Sequence, residues 1–311
     1  MNCDTVEISI VIPVYNEQDN VNSLVCSLID VLDKYNSYEI IFVNDGSKDD
    51  TLNVLKDICK KINNVFYISL SRNFGHQNAL RAGIEKTSGK IVISMDGDHQ
   101  HPPYIIDEMM NKWNEGYDIV STIRDDSYNV SLFKRHTSSM FYKILSKISD
   151  VNLKNGSADF RLFDRKVVDV LVRFQERSIF YRGVFTWLGF KQFELTYIPE
   201  KRMSGGSKYT LRKMVGLAVD GISSFSFFPL RLAALVGISI AFVSFIYVLY
   251  AFYVKIFTNH AVSGWFSIMA GIYFLGGIQL LFLGMCGEYI GRIYMEVKGR
   301  PNYIIADSNI K

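Results

Sequence analysis

No stretch of this 311-residue chain reads Gly-x-Gly-x-x-Gly after a strand, and none reads Gly-x-x-x-x-Gly-Lys-Ser/Thr. A dinucleotide-binding turn and a phosphate-loop NTPase are therefore disfavoured. The four cysteines, Cys3, Cys26, Cys59 and Cys286, have neither metal-finger nor redox spacing, and are expected to be reduced. A formal charge of +3 is too small to argue for a nucleic-acid partner. No repeat or low-complexity segment occurs. Asp4 and Glu7 stand before a short apolar run, a pattern unlike a secretory leader.

What the chain has is alternation. Apolar runs at Glu7–Val14, Glu39–Val43, Val65–Leu70 and Lys90–Met95 predict strands. Between them, apolar residues at helical spacing predict helices: Val21, Leu24, Val25, Leu28, Ile29 and Leu32, then Leu52, Leu55 and Ile58, then a helix over Gln77–Thr87. Pro102-Pro103 opens another helical pattern through Trp113, and Asp118–Ser121 reads as a further strand. Strand, polar loop and helix in repetition predict a mostly parallel sheet with helices on both faces. All the strand-to-helix loops then lie at one sheet edge. They bring Glu17, Asp45, Arg72, Asp96 and Asp98 together, where open α/β sheets bind ligands.

The stretch Asp96-Gly97-Asp98-His99-Gln100 is the centre of this edge. In an extended segment alternate side chains share a face, so Asp96, Asp98 and Gln100 are expected to point one way and His99 the other. Two carboxylates and an amide oxygen suit Mg²⁺ or Mn²⁺, with substrate phosphates completing the shell. The alternative for an isolated Asp-x-Asp is a solvated turn capping the next helix.

The last third is different. Leu232–Val254 and Trp265–Gly287 contain no charged residue and are each about long enough to span a bilayer. They explain the high apolar and aromatic content, 49% and 14%. With only Lys255–Gly264 between them, they predict a transmembrane hairpin over 229–291. Arg231, Arg292, Lys298 and Arg300 flank its outer ends and only Lys255 its connection, so the positive-inside rule puts the N-terminal domain and both termini in the cytoplasm. Thr210–Phe228 mixes basic and aromatic residues and is expected to be an interfacial helix on the membrane surface. The expected domains are thus 1–209, 210–228, the hairpin and a cytoplasmic tail over 292–311. Gly271, Gly276, Gly277, Gly284, Gly287 and Gly291 permit close helix contact, which suits self-association into a homo-oligomer.

Pro13-Val14-Tyr15-Asn16-Glu17, Asn44-Asp45-Gly46-Ser47, Ser71-Arg72-Asn73-Phe74-Gly75 and Asp96-Gly97-Asp98-His99-Gln100 resemble, in order, the motifs of the family 2 glycosyltransferases. The resemblance covers essentially the whole chain and is strongest to the polyprenyl-phosphate glycosyltransferases, the group of the dolichol-phosphate mannose synthases and bactoprenol glucosyltransferases. Departures are Asn44 for a usual Asp, Gly97 for Ala and His99 for Leu. The resemblance implies a GT-A fold and inverting transfer of a sugar, glucose preferred, from a nucleoside diphosphate, uridine preferred. The acceptor is polyprenyl phosphate, and a lipid-sugar flippase would act downstream. It implies donor contacts from Pro13, Tyr15, Glu17, Asp45, Asp96 and Ser207, and a cation on Asp98 and Gln100 with Asp96 at the ribose or the outer shell. Arg124, Arg135, Ser139 and Arg161 match an acceptor-phosphate cradle, and Arg202 and Lys208 a basic loop closing on the diphosphate. Asp159 occupies a catalytic acid position. It either takes a residual proton or orients Arg161 and the acceptor, the plain alternative being a structural pair. Rival readings are a processive polysaccharide synthase, whose Gln-x-x-Arg-Trp-type motif is missing, and a membrane scaffold with an inactive transferase domain.

Overall fold

The computed structural model describes residues 6–124, 157–174, 176, 181–198, 228–257 and 264–310. Its first half alternates as the apolar runs require: β1 (Ile8–Val14), α1 (Val21–Leu32), β2 (Tyr38–Asn44), α2 (Thr51–Lys61), β3 (Val65–Leu70), α3 (His76–Ile84), β4 (Ile91–Ser94), α4 (Ile105–Asn114) and β5 (Ile119–Arg124). Then come β6 (Ser157–Asp164), α5 (Arg165–Leu171), α6 (Tyr181–Trp187) and β7 (Gln192–Tyr197). Two long helices, α7 (Phe228–Phe257) and α8 (Trp265–Val297), precede a last strand, β8 (Ile305–Ser308).

The strands form one sheet in the order β7-β5-β6-β4-β1-β2-β3-β8. β4, β1, β2 and β3 run parallel. All seven residues of β1 are buried, which is why its sequence is a near-continuous apolar run rather than an alternating one. One face packs Ile10, Ile12, Phe42 and Ile93 against Leu24 and Leu28 of α1, Leu55 of α2 and Met109 of α4. On the other face α3 lies so close that a Cβ at Gly83 would meet Val11 Cγ1 at 2.3 Å. β6 runs antiparallel between β4 and β5, so its first residues reach the edge at which β4 and β5 end. That topology delivers Asp159 and Arg124 to the strand ends that carry Asp96 and Asp98.

The tail, expected only as a cytoplasmic extension, is a sheet strand. β8 pairs antiparallel with β3. Ser71 N–H donates to Ile304 O at 2.9 Å, Tyr67 N–H to Asn309 Oδ1 at 2.7 Å, and Lys56 pairs with Asp307 at 2.6 Å. Tyr303 hydroxyl donates to Glu85, and Asn302 Nδ2 to Glu176 O at 3.2 Å. β8 thereby covers an edge that would otherwise present unpaired backbone groups.

The chain divides into two compact units: the sheet unit, which includes 301–311, and a helical unit that takes in 216–300. In the helical unit, Phe274–Val297 of α8 is long and apolar enough to cross a membrane, and α7 carries a shorter apolar stretch, Leu235–Tyr247. α8 continues ten residues past the expected end of the second span at Gly287. Gly237 of α7 faces Phe282 of α8; among the described residues nothing comes within 4 Å of a Cβ position at the glycines 271, 276, 277, 284, 287 and 291. The expected interfacial helix over 210–228 lies outside the described residues apart from Phe228, which begins α7.

Because β8 seals the β3 edge, truncation after Arg300 is expected to lower the Tm of the detergent-solubilised protein by about 5 °C or more. Thermal unfolding of the two forms measures this. An unchanged Tm would mean that the pairing contributes no stability.

Candidate active site

The loops after β1, β2 and β3 are bonded to one another before any ligand enters. Asn16 N–H donates to Ser47 Oγ at 2.9 Å and Lys48 N–H to Asn16 Oδ1 at 2.9 Å. Glu17 N–H donates to Thr51 Oγ1 at 3.0 Å, and Glu17 Oε2 accepts from Asn20 Nδ2 at 2.5 Å. Pro13 is buried in β1 opposite Val43, while Tyr15 and Glu17 are half-buried above it. Asn44, the departure from Asp, is also structural: its Nδ2 donates to Ser69 Oγ and its Oδ1 accepts from Ser47 N–H.

Asp45 is 3% exposed. Its Oδ1 accepts from Phe74 N–H at 2.7 Å and its Oδ2 from Gly75 N–H at 3.0 Å, so the carboxylate holds the loop after β3. Burial raises its pKa, and the two amide bonds work against that rise. The raised pKa makes the protonated form the one the fold prefers. That contribution is present below the usual carboxylate value and is lost as pH rises through the folded-state value. Beside it, a Cβ at Gly46 would come within 2.4 Å of Arg72 C, and Gly46 sits at φ +65°, so only glycine fits beneath the crossing backbone.

The stretch 96–100 is not extended, and the alternate-side expectation fails there for a physical reason. His99 takes φ +61° and turns its Nε2 to α1, onto Ser23 Oγ at 2.8 Å and Asn20 O at 3.2 Å. The three residues expected to share a face with one another make the following contacts. Asp96 Oδ1 lies 2.9 Å from His76 Nε2, and its Oδ2 3.6 Å from His101 Nε2. Asp98 Oδ1 accepts from Gln100 N–H at 3.2 Å. Gln100 Oε1 accepts from Arg124 Nη1 at 2.6 Å, which joins a residue expected at the cation to one expected at the acceptor. Gly97 is close-packed rather than merely tolerated: a Cβ there would meet Val14 Cγ1 at 2.7 Å.

Asp159 is half-buried at the start of β6, and its carbonyl accepts from Ser94 Oγ at 2.7 Å. Arg161 shares its face of the strand but is 3% exposed. Its Nε donates to Ala158 O at 3.0 Å and its guanidinium lies 4.7 Å from the Phe185 ring centroid. These contacts seat Arg161 beneath the edge; its expected role at the acceptor phosphate stays an expectation. Arg135, Ser139, Arg202, Ser207 and Lys208 lie outside the described residues. Sequence reasoning missed His76 and His101. For His101 the available signal was its place three residues after Asp98; His76 lies twenty residues before Asp96 and gave none.

The donor set suits a hard divalent ion. Asp98 offers a carboxylate at a strand end, and Mg²⁺ is commonly held by one or two carboxylates with substrate phosphates. Among the described residues no group of three His, Cys, Asp or Glu side chains converges as an all-protein metal cage.

The mostly parallel sheet with helices on both faces and an acidic loop at the end of β4 is the architecture of a GT-A fold. Residues 9–172 match glycosyl transferase family 2, and the chain belongs to that family. Residues 228–293 match the GtrB C-terminal hairpin. Among its relatives, the putative glycosyltransferase CsbB of Bacillus subtilis is 45% identical over 308 residues, spanning 97% of this chain and 92% of that one. The SfII prophage-derived bactoprenol glucosyl transferase of Shigella flexneri is 38% identical over 304 residues, spanning 97% of this chain and 98% of its own. Of the solved structures, the mannosyltransferase PcManGT of Pyrobaculum calidifontis, in complex with GDP-Man and Mn²⁺, aligns with a TM-score of 0.49 at 15% identity, over 70% of this chain and 63% of its own.

Asp45→Asn tests the loop anchor. An amide oxygen can accept one of the two N–H bonds, but the NH₂ group opposes the other. The unpaired donor costs on the order of 1–3 kcal/mol locally. Hydrogen exchange across 73–75 is expected to quicken at least tenfold; exchange at the wild-type rate would contradict the anchoring role.

Proposed function

We propose that the protein transfers one sugar from a nucleoside diphosphate sugar to a polyprenyl phosphate at the cytoplasmic membrane face. The observation that carries this reading is the convergence of Asp98 and Arg124 at one sheet edge, linked through Gln100, in a chain similar along 97% of its length to a bactoprenol glucosyl transferase. An anion-binding arginine beside an acidic loop suits two phosphate-bearing substrates in one site.

Tyr15 and Glu17 face the nucleoside. Asp45 acts indirectly, by fixing the backbone of the loop after β3. Asp98 and, after exchange of its Arg124 bond, Gln100 would hold Mg²⁺ or Mn²⁺; when bound, the ion neutralises the donor diphosphate. Arg124 receives the lipid phosphate. Its oxygen attacks the anomeric carbon opposite the leaving nucleoside diphosphate. A carbon–oxygen bond to the lipid phosphate forms as the one to the diphosphate breaks, with inversion. A phosphomonoester with second pKa of about 6 is mostly dianionic at neutral pH. Asp159 therefore needs only to take the proton of the monoanionic remainder. UDP-glucose is the preferred donor because the C-terminal region resembles the bactoprenol group.

Chain connectivity supports the membrane arrangement. The chain passes from the sheet unit into α7 and rejoins the sheet with β8. Two membrane-crossing helices between two segments of one sheet must begin and end on the same side. The flanking Arg231, Arg292, Lys298 and Arg300 favour the cytoplasm for that side. A reporter inserted within 258–263 is then expected to be exported and one at the C-terminus retained. A cytoplasmic reporter within 258–263 would overturn the hairpin.

Two variants test the chemistry. Asp98→Asn is expected to remove most turnover at limiting Mg²⁺ without lowering the Tm; wild-type turnover there would rule out the cation role. Arg124→Ala is expected to weaken use of the polyprenyl phosphate roughly tenfold to a hundredfold, the effect of losing one or two charge-assisted hydrogen bonds of about 1.5–3 kcal/mol. Titrations with donor and acceptor separate the sites: loss of donor binding with unchanged acceptor dependence would move Arg124 to the diphosphate.

A further inference from the structure

His101 is 4% exposed and is held in one orientation by aromatic packing. Its ring stacks on Phe160 with centroids 5.1 Å apart and planes within 12°, and meets Tyr197 edge-on at 6.0 Å. Its Nδ1 lies 2.9 Å from the backbone nitrogen of Asp96, a group that only donates. Nδ1 must therefore be the bare, accepting nitrogen, and the ring proton sits on Nε2. That proton faces Asp96 Oδ2 at 3.6 Å. Both nitrogens of one buried imidazole are thus directed at the amide and the carboxylate of a single residue. From the solvent side His76, the first residue of α3, brings its Nε2 to 2.9 Å from Asp96 Oδ1.

We propose that His101 and His76 are positioning residues that clamp Asp96 from two sides and so fix the Asp96–Asp98 loop in the geometry that receives the donor diphosphate. The reasoning is steric and chemical. Gly97 gives the loop no side-chain anchor of its own, and His99 reverses the chain immediately after Asp98. A fixed point at Asp96 sets where the chain enters the turn that carries the Asp98 carboxylate and its bond to Gln100 N–H. His101 supplies that point because Phe160 and Tyr197, on strands β6 and β7, prevent its rotation. His76 supplies the second because α3 is anchored on the sheet through Gly83 and at its far end through Arg81, whose Nη1 donates to Glu176 O at 3.0 Å. Asp96 then serves as an orienting carboxylate, and Asp98 is left to face the substrate. The clamp itself is a property of the ligand-free protein; its consequence for turnover rests on the donor reading given above.

The test uses the full-length protein in detergent and four variants. His101→Asn keeps an oxygen near the position of Nδ1. His101→Gln reaches the position of Nε2 instead. His101→Phe keeps the ring stack and loses both nitrogens. His76→Ala alters an exposed side chain. Hydrogen exchange of the peptide 95–100, without metal or donor, reads the loop directly. Exchange is expected to quicken at least tenfold in the Phe and Gln variants and to stay within about threefold of wild type in the Asn variant. Mn²⁺ affinity measured by electron paramagnetic resonance in the presence of UDP is expected to follow the same order. His76→Ala is expected to raise the donor KM at least fivefold with no change in Tm. Wild-type exchange in the folded Phe variant would overturn the proposal, as would equal loss in all three His101 variants with a matching fall in Tm. Should those three fail to fold, an unchanged donor KM in His76→Ala would overturn it. If the loop exchanges as expected while Asp98→Asn retains full turnover, the clamp stands and the donor reading fails.

Discussion

Everything at this site depends on the burial of β1 on both faces. A strand whose seven residues are all inside the protein needs cover on both faces, and here the strand–helix alternation supplies it, with parallel neighbours and helices above and below. That alternation sends each strand-to-helix loop of the first half to the same edge. The loops cannot avoid one another there, and their polar side chains bond across: Asn16 to the loop after β2, Asp45 to the loop after β3, Asp96 to the start of α3. The acids that look like a substrate site in sequence are thus also the fasteners of the edge. Asp45 illustrates the compromise. Its desolvation is unfavourable to the charge, and two backbone amides make the charge tolerable.

The antiparallel insertion of β6 solves a second problem. A purely parallel continuation would leave the start of the next strand at the far edge. Because β6 runs backwards, Asp159 arrives beside β4, and β6 and β7 place Phe160 and Tyr197 against His101. At the other side of the sheet β8 closes the β3 edge and returns the chain after α8 to the catalytic unit.

The first half of the fold was legible because its signals are local. Apolar runs of strand length and helical periodicity put β1 to β5 and α1 to α4 within a few residues of their observed bounds. The elements over 157–197 were not read as strands and helices. Arg161 and Asp164 interrupt β6, and charged or polar residues alternate irregularly in β7. β8 was missed because four residues, Ile305-Ala306-Asp307-Ser308, become a strand only through a partner some 240 residues earlier. At the site, the carboxylates were legible by type and place, but their directions were not. The left-handed turn at His99 cannot be read from spacing, and the role of His101 requires rings contributed by two later strands. The burial of Arg161 was not legible either, because its seat on the Phe185 ring depends on a helix that the sequence pattern did not reveal.

The central claim is that this edge moves a single sugar onto a lipid phosphate. Purified protein incubated with undecaprenyl phosphate, Mg²⁺ or Mn²⁺ and a panel of nucleotide sugars, followed by mass spectrometry of the lipid fraction, tests it most directly. The expected result is one product whose mass is the lipid phosphate plus one hexose, formed from one donor and abolished by chelation. Donor hydrolysis without a glycosylated lipid, or lipids carrying chains of several sugars, would contradict the account.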